Sequence, residues 1–212
     1  MGAKRKAKAR ELLEKRDLEG IIGWTEETRS ALSTLFSLTF EKDERIRWRA
    51  IEATGKAATV VAKQNEERVR DFLRRLLWLM NDESGGLGWH APETIGEVVF
   101  NLPALASEYV VILASFLRAE PFERGTHFAL ARTGSLAPEA IRASTGVLQV
   151  SLTDNDPAIR ALAWHALRIA QSEITSELDA VLKEDTETFS LYDFTKGNVR
   201  TVSVKTYLRE TG

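Results

Sequence analysis

Apolar side chains recur at helical spacing along most of this chain. In residues 66–80 they lie three or four positions apart, at Val69, Phe72, Leu73, Leu76, Leu77 and Met80. Residues 109–117 repeat the spacing with YVVIL followed by Phe116 and Leu117. Such spacing places the apolar residues on one face of a helix. The pattern therefore predicts amphipathic α-helices that bury one face against their neighbours.

Four windows of the chain align with one another without gaps: Glu41–Gly55, Asp82–Gly96, Glu120–Gly134 and Asp154–Arg168. The first position of each window is acidic, and the tenth is always alanine. Each window opens a predicted helix, and a second one follows it, in residues 66–80, 103–117, 138–152 and 174–182. A unit of this length cannot bury its apolar face alone, so the repetition indicates stacked helical pairs.

The fourth window carries the pattern D-x-D-P-A-I-R-x-x-A, which resembles HEAT repeats, above all the HEAT-like repeats named after the phycobilin lyases. The resemblance covers about residues 24–184. It implies an all-α fold, a right-handed α-α superhelix of about four to five helical pairs. In such repeats the aspartate caps a helix and the arginine bonds to the neighbouring repeat. The resemblance gives these structural roles to Asp43, Arg47, Asp156 and Arg160.

Two shorter runs resemble a narrower family of bacterial and archaeal HEAT proteins. One is RWRAIEA at Arg47–Ala53. The other is NDESGGLGW at Asn81–Trp89, followed by Pro92-Glu93 and Gly96-Glu97. This second resemblance supports the same fold and implies no particular activity.

Both ends of the repeat region have their own patterns. Ala3–Arg16 and Thr25–Phe40 are predicted helices that cap the array within residues 1–40, with Thr25 as the N-cap of the second. Beyond residue 185 apolar residues alternate, so Thr188–Phe194 and Val199–Val204 are predicted to form a hairpin, and a last helical turn follows. An isolated two-stranded hairpin is only marginally stable in water. Residues 186–212 are therefore expected to cap the last repeat of a helical domain that spans residues 1–185.

Composition narrows the class of protein. The 212 residues are 43% apolar, enough for a packed core, and include no cysteine, which excludes disulfides and cysteine zinc sites. We expect a cytoplasmic protein. No apolar run approaches the roughly 20 residues of a membrane helix, and the basic start lacks the apolar core of a signal peptide. We therefore expect no membrane association.

Charge is spread unevenly along the chain. Residues 1–16 hold seven Lys or Arg against two Glu, a net charge of +5, which leaves −7 for the rest. This start is either a solvated helix or an arm that contacts nucleic acid or an acidic partner. Because the body of the protein is acidic, we do not expect nucleic acid to be the partner.

The second window departs from the others and provides the candidate site. It has Gly88 where the first and fourth windows have arginine, and Pro92 either opens a helix near Ala91 or kinks one that begins near Leu87. Acidic and aromatic side chains gather here and at one equivalent position. The predicted binding residues are Asp82, Glu83, Trp89, His90, Glu93, Glu97 and Trp48.

Three uses of this cluster are open. It is a structural turn with capping acids and a packed tryptophan, or a surface that holds a cationic partner segment through charge-assisted bonds and cation–π contacts. Alternatively His90 and nearby carboxylates hold a metal, or Glu93 or Glu97 acts as a general base. A phosphate loop is rejected because the run has no lysine and its acids would repel phosphate. We assign no catalytic, metal or cofactor residue.

Other aromatic and basic residues are candidates for the core or for a binding surface. Trp48, Trp89 and His127 share the eighth window position, which makes them either an exposed strip or core between repeats. Trp78 and Trp164 lie in apolar stretches and are expected in the core, and His165 is expected to be a hydrogen-bonded helix residue. One predicted helix has a basic side that either faces a ligand or pairs with acids, formed by Arg68, Arg70, Arg74 and Arg75.

These features favour a non-catalytic scaffold that binds another protein through a HEAT-repeat surface. An enzyme or enzyme subunit of HEAT type is the alternative, as is weak nucleic-acid binding through the basic start. The HEAT-like DNA glycosylases use tryptophans on a basic concave surface, whereas the body of this chain is acidic. The lyases need a bilin and usually a partner subunit. The identity of the protein partner and the oligomeric state stay open.

Overall fold

The computed structural model describes residues 2–81 and 88–212. Most of these residues are helical, and a two-stranded antiparallel hairpin lies near the C-terminus. The sequence prediction of a mainly helical chain with a C-terminal hairpin is therefore confirmed. The chain divides into two compact units, one formed by residues up to Leu102 together with Tyr192–Val199, the other by Pro103–Leu191 and Arg200–Gly212.

In the described part of the first unit the helices are α1 (Gly2–Lys15), α2 (Leu18–Glu27), α3 (Ala31–Phe36), α4 (Glu44–Asn81) and α5 (Ala91–Asn101). A 3₁₀ turn, Ser37–Phe40, continues α3. Helix α4 is interrupted at Asn65, where φ is −164° and ψ is 101°. The Asn65 side chain accepts a hydrogen bond from the Glu67 amide at 3.0 Å and so caps the second half of α4. That half is the helix predicted over residues 66–80.

The prediction that Thr25 starts a helix is wrong. Helix α2 begins at Leu18, where the Asp17 carboxylate accepts a hydrogen bond from the Gly20 amide at 2.8 Å. Thr25 lies inside α2, and its hydroxyl donates to the Ile21 carbonyl at 2.7 Å. An aspartate accepts a cap bond at least as well as threonine, so the earlier residue sets the start. The predicted helix Thr25–Phe40 is instead the end of α2, a break, and α3 with its 3₁₀ turn.

Helices α4 and α5 approach each other closely at Gly55. A Cβ atom there would lie 2.6 Å from the Asn101 side-chain nitrogen and 2.9 Å from the Glu97 carbonyl oxygen. Ala50 of α4 and Ile95 of α5 are fully buried. A glycine at the fifteenth window position thus allows the two helices to pack backbone against side chain.

A buried carboxylate organises the first unit. Glu52 of α4 is 4% exposed, and its two oxygens accept from the Arg16 guanidinium at 2.7 and 3.1 Å. The Tyr192 hydroxyl also donates to Glu52, at 2.5 Å, and burial raises the pKa of Tyr192, so it stays protonated. Arg16 further donates to the carbonyl oxygens of Phe194 and Thr195. The α1–α2 turn and residues 192–195 are therefore fixed on α4 by one set of charge-assisted hydrogen bonds.

The second unit contains seven helices: α6 (Ala106–Ala114), α7 (Glu123–Thr133), α8 (Pro138–Ala143), α9 (Thr145–Ser151), α10 (Pro157–Ile169), α11 (Ser176–Glu184) and α12 (Val204–Thr211). A 3₁₀ turn, Pro103–Leu105, precedes α6. Trp164 of α10 is 2% exposed and donates to the Asp179 carboxylate at 2.8 Å, which confirms its predicted place in the core.

The hairpin consists of β1 (Thr188–Asp193) and β2 (Asn198–Ser203), close to the predicted strands. In the second unit Phe189 packs edge to face on Tyr207 of α12, with ring centroids 5.6 Å apart. In the first unit the Arg49 guanidinium donates to the Gly197 carbonyl at 2.8 Å. The final helical turn predicted after the hairpin is α12.

The first and fourth windows make the same local contacts. Asp43 and Asp156 accept backbone amide bonds at the starts of α4 and α10, at 2.9 and 2.8 Å. Arg47 donates to the two carbonyls that open its window, those of Glu41 and Lys42. Arg160 donates to the equivalent carbonyls of Asp154 and Asn155, and also to the carboxylates of Asp185 and Glu187. The predicted capping role of both aspartates is confirmed.

The second unit holds a buried histidine, His127, and a half-buried one, His165. The His127 ring donates to the Glu123 carbonyl at 2.7 Å through Nδ1, and its Nε2 lies 2.9 Å from the Ser151 hydroxyl. His165 Nδ1 lies 2.7 Å from the Tyr207 hydroxyl, as expected for a hydrogen-bonded helix histidine. Burial lowers the pKa of both imidazoles, that of His165 to about 4. Burial therefore favours the neutral form of both rings in the folded protein.

Among the described residues no single helix is both long enough and apolar enough to cross a membrane. Ala91–Asn101 and Pro103–Ala114 reach the required length and composition only when they are counted together across the bend between them.

We expect Glu52→Ala to destabilise the protein by about 3–5 kcal/mol, because it leaves the part-buried Arg16 guanidinium without its carboxylate. Chemical denaturation measures this free energy of unfolding. The control is Glu26→Ala, on the exposed side of α2, which should change it by less than about 0.5 kcal/mol. Equal effects of the two substitutions would contradict the role given to Glu52.

Acidification should weaken the fold through His165. The unfolded chain protonates this residue below its ordinary pKa of 6.5, and the folded protein only near a pKa of about 4. The free energy of unfolding therefore falls as the pH drops through this range, by about 2 kcal/mol between pH 7 and pH 5. Urea unfolding at the two pH values tests this. His165→Gln should reduce the difference, and an unchanged difference would show that other groups cause it.

Candidate functional site

The α4–α5 corner holds the predicted site, and close backbone packing shapes it. Gly88 is buried against Leu79 near the end of α4. A Cβ atom at Gly88 would lie 2.9 Å from the Leu79 carbonyl oxygen and 3.1 Å from its carbonyl carbon. Because backbone cannot move aside as a flexible side chain can, the position requires glycine. This contact explains why the second window lacks the arginine found at Arg47 and Arg160.

Pro92 occupies the first turn of α5, which begins at Ala91, so the first of its two predicted placements is confirmed. His90 precedes this helix, and its carbonyl accepts from the Thr94 hydroxyl at 2.7 Å. Its Nδ1 lies 3.3 Å from Glu93 Oε1. His90 and Glu93 are thus brought together at the start of α5.

The two glutamates of α5 are buried. Glu93 is 8% exposed and Glu97 is 1% exposed. Glu97 Oε1 accepts from the Asn101 side chain at 2.8 Å. Glu93 Oε2 is shielded from solvent and has no hydrogen-bond partner in the described part of the chain. Both carboxylates belong to the packed side of α5, and neither forms an open acidic surface.

Two tryptophans at the corner are largely exposed. Trp89 is 64% exposed, and Trp78 is 65% exposed, so the prediction that Trp78 lies in the core is wrong. Trp78 precedes Leu79 and Trp89 follows Gly88, so each is one residue from the contact between Leu79 and Gly88. We call Trp78 and Trp89 the tryptophan pair.

The remaining predicted site residues are placed differently. Trp48 is half-buried and stacks on Tyr192, with ring centroids 5.7 Å apart and planes at 7°. Asp82 and Glu83 lie outside the described residues. His127, which shares the window position of Trp48 and Trp89, is 1% exposed. The three equivalent positions thus differ in environment, and only Trp89 presents a largely open ring.

The basic residues of the first unit are partly neutralised. In α1, acidic side chains lie within 4 Å of Lys6, Lys8, Arg10 and Lys15. In α4, Arg70 pairs with Glu66 at 3.0 Å and Arg74 with Glu67 at 2.6 Å. These contacts reduce the positive field that a phosphate backbone would meet. Arg68 and Arg75 have no acidic partner within the described ranges.

Within residues 2–81 and 88–212, no group of three or more His, Cys, Asp or Glu side chains could hold a metal ion. In the described part of the corner, the side chains that reach solvent include two indole rings and the half-buried His90 imidazole. Indole binds through apolar contact, stacking and one N–H donor.

No known family profile matches the chain. Over 163 residues, 76% of this chain and 85% of the relative, it is 26% identical to a protein of Archaeoglobus fulgidus described as uncharacterised. An engineered protein of known structure matches 78% of this chain at 17% identity, with a TM-score of 0.47. The chain spans 47% of that engineered protein.

Replacing Gly88 should disturb the corner. We expect Gly88→Ala to lower the free energy of unfolding by roughly 1–3 kcal/mol, because the new methyl group overlaps the Leu79 backbone. Urea denaturation measures the change. The control is Gly23→Ala in α2, where an added Cβ meets nothing within 4 Å. Gly23→Ala should raise the free energy of unfolding by roughly 0.5–1 kcal/mol. A Gly88→Ala protein as stable as wild type would exclude the close contact.

Proposed function

We propose that this protein is a non-catalytic binding module of the HEAT-like type that holds another protein through the tryptophan pair. The main observation that supports this proposal is the exposure of Trp78 and Trp89, at 65% and 64%. Tryptophan has a large apolar side chain that is mostly buried in folded proteins. It is also enriched among the residues that contribute most to binding energy at protein interfaces. Two such rings beside one backbone contact supply the apolar centre that a protein interface needs.

Rigid support for these rings favours binding over a chance exposure. The contact between Leu79 and Gly88 holds the backbone next to each tryptophan. The end of helix α4 is held in the core by Leu76 and Met80, which are 1% and 6% exposed. A preorganised pair loses little conformational entropy when a partner covers it.

The HEAT-like part of the proposal is supported by repeated local geometry. The aspartate and arginine of the first and fourth windows make the same contacts, as described above. The alanine at the tenth window position is fully buried in all four windows, at Ala50, Ala91, Ala129 and Ala163. Stacked helical pairs of this kind present broad surfaces, and most act by binding.

The proposal predicts the outcome of affinity capture from the native cell. The double variant Trp78→Ser/Trp89→Ser should recover the bound protein at least about tenfold less than wild type, since an interface tryptophan contributes roughly 2 kcal/mol or more. Quantitative mass spectrometry of the captured proteins measures the ratio.

The matched control is Val111→Ser/Val181→Ser, which removes apolar side chains that are 56% and 66% exposed elsewhere. It should capture the same protein as wild type. Thermal unfolding of both variants shows whether the fold is kept, which we expect for exposed positions. Equal capture by wild type and a folded tryptophan variant would refute the proposed surface.

A further inference from the structure

A cleft of about 300 Å³ lies between α3 and α4 in the first unit. Its apolar lining is formed by Leu32, Val61 and Phe72, which are at most 8% exposed. Three arginines, Arg29, Arg68 and Arg75, also line it. An apolar lining with a cationic rim is suited to a ligand that combines apolar and negatively charged groups.

The charge of this cleft is not balanced within the described residues. Among the described lining residues Asp71 alone is acidic, and it pairs with Arg74 at 2.5 Å. Arg68 donates to neutral oxygen atoms, the Arg29 carbonyl at 2.9 Å and the Gln64 side chain at 3.5 Å. Arg29 and Arg75 are exposed and form no ion pair in the ranges that the structure covers. Two guanidinium groups are thus free to bind carboxylate, each by two parallel hydrogen bonds.

A polar atom in the cleft wall is also without a partner. The Ser30 hydroxyl oxygen is shielded from solvent and makes no hydrogen bond with the described residues. Ser30 precedes α3 but does not cap it. A hydrogen-bonding group of a cleft residue is thus left unsatisfied within the part of the chain that the structure describes.

Two arginines of the cleft lie on the same helix as Trp78 of the tryptophan pair. Arg68, Arg75 and Trp78 are seven and three residues apart, which places them on adjacent positions of one helix face. The axial distance from residue 68 to residue 78 is about 15 Å, the length of four to five extended residues. A peptide of about five extended residues is therefore long enough to reach from Arg68 to Trp78.

We propose that the cleft between α3 and α4 binds an acidic, partly apolar peptide segment of the partner protein, with Arg29 and Arg75 holding its carboxylates and Leu32, Val61 and Phe72 its apolar side chain. This inference rests on the proposed function and adds the chemistry of the partner. Charge complementarity carries it, because the cleft offers unpaired guanidinium groups beside a buried apolar lining.

Selection of peptides from a random displayed library on the full-length protein tests the inference. The selected peptides should be enriched in Asp and Glu next to apolar residues, and their affinity should fall as salt is raised. Fluorescence polarisation with the strongest peptide should show at least about tenfold weaker binding to Arg29→Glu/Arg75→Glu than to wild type.

The control variant is Lys63→Glu, which reverses an exposed charge of the same helix outside the cleft and should bind the peptide nearly as wild type does. Circular dichroism establishes that each variant is folded. Selected peptides without acidic residues would overturn the proposal that the cleft binds an acidic peptide. Equal binding by wild type and the arginine variant would do the same. Binding of single-stranded RNA in place of any acidic peptide would do so as well.

The tryptophan variant separates the two proposals. If peptide binding is lost in Trp78→Ser/Trp89→Ser but kept in Arg29→Glu/Arg75→Glu, the cleft inference fails and the proposed function stands. If a folded tryptophan variant and a folded arginine variant both bind the peptide as wild type does, both proposals fail.

Discussion

The first unit depends on a buried carboxylate that must be paired where it lies. Glu52 sits inside α4 at 4% exposure, and a charge in that position is tolerated only with strong partners. Arg16 and Tyr192 supply them from parts of the chain 36 residues before and 140 residues after Glu52. Once these partners are in place, α4 is held at its first half. Its second half then carries the exposed face that we assign to binding.

Much of the fold followed from periodicity. Apolar spacing located the second half of α4, and alternation located β1 and β2 within about one residue. The caps at Asp43 and Asp156 followed from residue type, since a short acidic side chain satisfies the free amides of a helix start. The helix start at Thr25 was wrong because Asp17, eight residues earlier, caps α2, and Thr25 lies inside that helix with its hydroxyl bonded to the Ile21 carbonyl.

The site was harder to predict, because exposure depends on what covers a helix. Trp89 was identified through its unusual window and is exposed, whereas Glu93 and Glu97 of the same window are buried. Trp78 was assigned to the core because its neighbours are apolar. Yet it lies nine residues after Val69, two and a half turns along the helix, and so opposite the apolar stripe. The position of Trp78 around the helix axis therefore predicts its exposure, whereas the apolar residues next to it in sequence do not. Arg29, by contrast, meets Arg68 only through the packing of α3 on α4, which no spacing in the sequence shows.

The central claim is that a partner protein covers the tryptophan pair, and site-specific photocrosslinking in the native cell tests it most directly. Trp78 or Trp89 is replaced by p-benzoylphenylalanine, an aromatic side chain that reacts with groups in van der Waals contact. The control carries the same group in place of Val181, which is 66% exposed in the second unit. The account predicts a discrete adduct with one protein from positions 78 and 89 and none from position 181. No adduct at either tryptophan position, or the same adduct at all three, would contradict it.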